Sequence, residues 1–149
     1  MKIQWNKPFV LGICVFALPL LSIASDSTTL KEEARSAISG NDFKAAESLY
    51  SKITVGSPED ADAWHGLGNS LDAQGRTKEA DVAYLRASEL YAKEYEKNPS
   101  DPALLYELVL STMCAGDGTR AKEYLEAGVA KFPDNKDLAG LNALLNGRR

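Results

Sequence analysis

Trp64-x2-Leu67-Gly68-x2-Leu71, then Gly75, then Ala80-x3-Tyr84-x2-Ala87, is the stretch that decides how this chain reads. Apolar residues recur at spacings of three and four on both sides of a glycine, which is the signature of two amphipathic helices joined by a tight turn. Ala80 is small enough for the helices to approach closely, and Tyr84 fills space four residues later on the same face. The pattern recurs outward in both directions. Thirty-four positions upstream stand Phe43 and Ala46-x3-Tyr50-x2-Ile53, closed by Pro58; 41 positions downstream stand Gly116 and Ala121-x3-Leu125-x2-Gly128, closed by Pro133. The units run 27–60, 61–101 and 102–135, with turns expected near Gly40, Gly75 and Gly116.

The second unit is seven residues longer than the first. A heptad insertion preserves a helix face, with a drift of about 20°, so its second helix can extend from Thr77 to Lys97 and carry Tyr91 and Tyr95 on the side of Tyr84. The same residues also suit a loop, with the two tyrosines either offered to a partner or packed against Leu104 and Leu105. Start signals accompany the units. Thr29 with Glu32 reads as a capping box, Ser57-Pro58 and Asp101-Pro102 each place a cap before a proline, and Asp134 precedes Asp137. Beyond Pro133, Leu138, Leu141, Leu144 and Leu145 form one apolar face over residues 136–149, which suits a helix covering the end of a stack. The expected fold is all-α, with seven helices, no strands, and three helical hairpins plus a capping helix.

Three units carrying Trp64, Leu67, Gly68, Ala80, Tyr84 and Ala87, or their counterparts, resemble the tetratricopeptide repeat family. The first unit departs at Leu30 and Glu33, and the third at Val109. The resemblance implies a helical solenoid whose first helices line a groove for a peptide or helix of another protein. It places Lys31, Arg35, Asp62, His65, Gly66, Asn69, Asp72, Tyr106, Glu107, Leu110 and Met113 on that groove. A surface graded from basic through polar to apolar is expected, suited to a ligand with an acidic group at one end and an apolar anchor at the other. The subclass that clamps a C-terminal carboxylate is excluded: Lys31 matches its clamp, but Arg35, Gly66, Ala103 and Glu107 do not.

The first 24 residues read differently from the rest. Lys2 and Lys7 precede an uncharged run from Phe9 to Leu21, and Ser22-Ile23-Ala24 follows with small residues three apart. This is the form of a secretory signal peptide cleaved after Ala24. The other reading is an uncleaved anchor over residues 8–24, near the lower length limit for a span. Export, to the periplasm or beyond, is therefore expected, with membrane attachment only if the segment remains. Its loss leaves 15 basic and 21 acidic residues and one cysteine, Cys114, expected to be buried.

Composition narrows the function. A net charge of −4 and a pI near 5.1 argue against a nucleic-acid binder that neutralises phosphates. One histidine and two cysteines cannot build a multi-His or multi-Cys metal centre. Asp62, His65, Asn69 and Asp72 share a helical face, a weak donor set for a metal. Gly66-x-Gly68 lacks the third glycine and the preceding strand of a phosphate loop, and no nucleophile–base motif is present. No cofactor, metal, nucleic acid or small-molecule substrate is expected. Gly66 stands out, because a glycine inside a helix costs about 1 kcal/mol relative to alanine; it suggests either a pocket beside His65 or tolerated drift. The expected function is a non-enzymatic adaptor or scaffold binding another envelope protein. The alternatives are a membrane-tethered assembly subunit and a self-associating structural protein.

Overall fold

The computed structural model describes residues 27–146; the expected signal segment lies outside them. Seven helices follow one another: α1 Ser27–Ser39, α2 Phe43–Gly56, α3 Ala61–Asp72, α4 Thr77–Lys97, α5 Pro102–Cys114, α6 Gly118–Lys131 and α7 Lys136–Asn146. Among the described residues there is no strand, and no helix is long and apolar enough to cross a membrane. Each helix packs on its neighbours in sequence, with α1 also touching α3 and α5 touching α7. The result is a stack of three hairpins closed by α7.

The turn inside each hairpin repeats one geometry. Asn41, Gly75 and Gly116 hold φ of 60°, 75° and 84°, and they are spaced by the same 34 and 41 residues that separate the units. Behind each, a backbone N–H reaches across the turn: Asp42 to Ala37 O, Arg76 to Leu71 O and Asp117 to Thr112 O, at 2.8–3.1 Å. This is the left-handed C-terminal cap that glycine accommodates freely and asparagine tolerates. The first turn thus pivots on Asn41 and not on Gly40, because the register of the repeat fixes which residue must take positive φ.

Aspartates start most of the helices. Asp42, Asp60, Asp101 and Asp117 each accept from backbone N–H groups of the following first turn, and Asn135 does so for α7. Each such cap is worth about 1 kcal/mol. Three of the expected start signals are displaced. Thr29 lies inside α1, Asp60 caps α3 in place of Ser57-Pro58, and Asn135 replaces Asp134. Helix α4 has Arg76 where Asp42 and Asp117 stand, and no side chain caps it. Arg76 instead binds Glu79 at 2.5 Å and Glu47 of α2 at 2.6 Å, tying the first hairpin to the second.

The core forms in three linked clusters. Ala34, Ala46, Tyr50, Ile53 and Ala63 fill the first hairpin junction, and Leu71, Ala80, Ala83 and Tyr84 the second. The largest cluster centres on Leu90, Tyr91, Leu105, Leu108, Val109, Leu125 and Leu138. Leu67 touches the first two clusters and Trp64 the second and third, so α3 is the keel of the stack. The seven added residues are helical, and α4 continues to Lys97. Tyr91 is buried among the third cluster and Tyr95 packs at its margin, where Lys131 lies over its ring at 5.5 Å and donates to Pro99 O. The aromatic pair serves packing and is not offered outward. Cys114, in contrast, is exposed and not buried, because it falls on the outer side of the last turn of α5.

Candidate functional site

Two adjoining clefts lie where α1 and α3 meet α4 and, in the smaller one, α2 and α5. The larger, about 440 Å³, is lined by Lys31, the 57–60 turn, Ala61, Asp62, Tyr91 and Glu94. The smaller, about 230 Å³, is lined by Arg35, Ile38, Tyr50, Asp62, His65, Gly66, Asn69, Tyr91 and Glu107. Asp62 and Tyr91 border both, so the clefts form one groove with a waist at this pair. The Tyr91 hydroxyl donates to Asp62 Oδ1 at 2.5 Å, and Lys31 approaches Asp62 Oδ2 at 3.6 Å and Asp60 Oδ2 at 2.7 Å. Three helices, α1, α3 and α4, are joined at that waist.

Of the residues expected on the groove, Lys31, Arg35, Asp62, His65, Gly66, Asn69 and Glu107 line these clefts. Asp72 does not; it sits at the end of α3 and accepts from Thr77 Oγ1 at 3.3 Å. Tyr106, Leu110 and Met113 are half-buried and pack on the third core cluster, outside both clefts. Tyr50, Tyr91, Asp60 and Glu94 line the groove without having been expected there. Tyr91 was within reach of the sequence, since it follows Tyr84 by a heptad; the others come from second helices and from the turn before α3.

The expected gradient of charge is altered by pairing. The charge of Lys31 is compensated by Asp60 and Asp62, because the N-terminal turn of α3 lies against α1. Arg35 makes no ion pair among the described residues. Burial first, then the proximity of Asp62, pushes the Glu107 carboxyl above the usual range, and the same two causes act in that order on Glu94. Burial and donation to Asp62 keep the Tyr91 hydroxyl protonated.

His65 stands at the centre of the smaller cleft. Burial holds its imidazole below the ordinary value, so it is neutral at pH 7. Its Nδ1 lies 2.7 Å from Ser111 Oγ, and its ring meets Tyr84 edge-on at 5.4 Å. The fold thus joins a serine and a histidine that are 46 residues apart. Ser111 is fully buried, so its oxygen is closed to a substrate, and the pair fixes α5 against α3. Asn69 accepts from the Tyr84 hydroxyl at 2.8 Å. Among the described residues, no group of three or more His, Cys, Asp or Glu side chains is disposed to hold a metal ion.

Gly66 has a packing reason. A Cβ built on it would lie 2.3 Å from Cζ of Tyr50 and within 2.7 Å of both Cε atoms. Gly68 relates similarly to Tyr84, with the nearest ring carbons 2.6 Å away, and Gly128 to Leu105 at 2.7 Å. The glycine is neither drift nor an opened pocket: the ring of Tyr50 already occupies the space and forms the floor of the cleft.

Stacked helical hairpins with a continuous groove on one face define an α-solenoid. Residues 31–102 match the tetratricopeptide repeat family, so this stretch of the chain is built of tetratricopeptide repeats. No curated protein sequence matches it. Among solved structures, a chain of the CopN-Scc3 complex is similar at 19% identity and a TM-score of 0.56, covering 85% of this chain and 71% of that one. The type III secretion translocator chaperone SycD of Yersinia enterocolitica is similar at 15% identity and a TM-score of 0.53, covering 81% of each chain. At these identities the likeness is one of fold.

Proposed function

We propose that the protein is an exported, non-enzymatic adaptor that holds a segment of another envelope protein in the groove that the two clefts form. The observation that carries this reading is the pair of clefts meeting at Asp62 and Tyr91, a concavity lined by side chains from five helices. Concave, partly apolar surfaces of this size are where proteins bury ligands. The related folds agree with it, since one is a chaperone and the other belongs to a complex of two proteins. Export rests on the character of residues 1–24, and an intact mass of the cell-envelope protein is expected to show that they have been removed. Retention of those residues would favour the tethered subunit instead.

Capture from envelope extract tests the groove. Ser57 borders the larger cleft and its side chain makes no hydrogen bond, so Ser57→Trp fills the cleft without altering charge. The parent chain is expected to retain a protein that the variant loses. Equal recovery by both would remove the groove from the account and direct attention to the opposite face.

A further inference from the structure

The groove contains an imbalance of charge that its own residues do not resolve. Its two clefts are lined by five carboxylates, from Glu59, Asp60, Asp62, Glu94 and Glu107, against two cations. Three of the five are engaged: Glu59 by Arg86 at 2.9 Å, Asp60 by Lys31, and Asp62 by Lys31 and Tyr91. Glu94 and Glu107 have neither an ion pair nor a hydrogen bond among the described residues. They come from different helices, α4 and α5, and occupy different clefts on either side of the Asp62–Tyr91 waist. Glu107 is half-buried and Glu94 exposed, and the nearby Asp62 carboxylate acts against the charge of both. An incoming cation would offset that repulsion, whereas an incoming anion would add to it.

Resting on the adaptor reading, we infer that the segment taken into the groove is basic, with one Lys or Arg side chain entering beside Glu94 and another beside Glu107. Arg35, exposed and unpaired at the edge of the smaller cleft, disfavours a cation only at that edge, and Lys31 is already compensated. An acidic ligand, as the sequence alone suggests, would meet Glu94 and Glu107 without a free cation in the larger cleft. Charge complementarity therefore selects the partner.

Two labelled peptides of equal length, one alternating Lys and Ala and one alternating Glu and Ala, are titrated with the purified chain and followed by fluorescence anisotropy. The lysine peptide is expected to bind and the glutamate peptide not to. The double variant Glu94→Gln/Glu107→Gln should weaken that binding by about tenfold or more, and Ser57→Trp should weaken it as well. The control Glu123→Gln/Glu126→Gln, at two exposed positions of α6 that line neither cleft, removes the same two negative charges and should leave binding unchanged. Failure of the lysine peptide to bind, equal binding of both peptides, or an equal loss with Glu123→Gln/Glu126→Gln overturns the proposal. The same variants applied to envelope capture separate the two readings. Loss with Ser57→Trp but not with Glu94→Gln/Glu107→Gln keeps the groove and overturns the basic segment; no loss with either overturns both.

Discussion

Leu105→Ala is expected to lower the free energy of unfolding by about 2–5 kcal/mol, the range for a large aliphatic side chain removed from a packed core. Leu105 is 2% exposed and belongs to the largest cluster, which joins α3 to α7. Its Cδ2 also occupies the space left free by the missing side chain of Gly128, at 2.7 Å from where a Cβ would stand. Truncation therefore opens a cavity at the α5–α6 junction that neither helix can close without leaving α7. Urea unfolding followed by circular dichroism measures the loss, with Leu144→Ala, at a residue 53% exposed, as the reference. Equal effects at the two positions would mean that the third hairpin is not held by this cluster.

Gly66→Leu is expected to cost about 3 kcal/mol, the upper end for overpacking, despite the gain of about 1 kcal/mol in helix propensity that replacing glycine brings. The new side chain would enter the volume of the Tyr50 ring, and that ring is held among Ala34, Ala46, Ile53 and Ala63. Tyr50→Ala alone also costs about 3–5 kcal/mol by analogy with other large aromatic truncations. Combined, the two changes exchange volume across one contact, so a positive coupling of about 2–3 kcal/mol is expected from a double-mutant cycle. Strictly additive losses would show that Gly66 is not there for Tyr50.

Much of the fold was legible in the chain because the repeat is a local code. Ala46, Ala80 and Ala121 with Tyr50, Tyr84 and Leu125 marked the second helices, and Asp101-Pro102 marked one start correctly. What escaped was set across the stack. Tyr50 and Gly66 are sixteen residues apart and on different units, and nothing in either unit's own periodicity states that the ring of one needs the gap in the next. The asparagine pivot at position 41 was hidden by the adjacent Gly40, although the spacing of 34 from Gly75 points to it. In the groove, Lys31, Arg35, Asp62, His65, Gly66 and Asn69 line the clefts where the family resemblance put them, and Asp72 does not. The neutralisation of Lys31 was not legible, because Asp60 acts from a turn that periodicity leaves blank. Tyr106, Leu110 and Met113 were placed on the groove by the same resemblance, and it is α5's two-sided packing that draws them toward the core.

The nearest-neighbour packing of the helices has a kinetic side. Among the described residues, the substantial contacts beyond successive helices run only from α1 to α3 and from α5 to α7. Little loop-closure entropy must be overcome before any of these contacts forms, which places the chain among topologies that fold quickly. Each hairpin can therefore be laid on the one before it as the polypeptide emerges from a ribosome or a pore, and no segment need wait for a distant partner. The groove matures early in that sequence: its larger cleft is complete once the chain has reached Glu94 in α4, and Glu107 is the last side chain added to the smaller one.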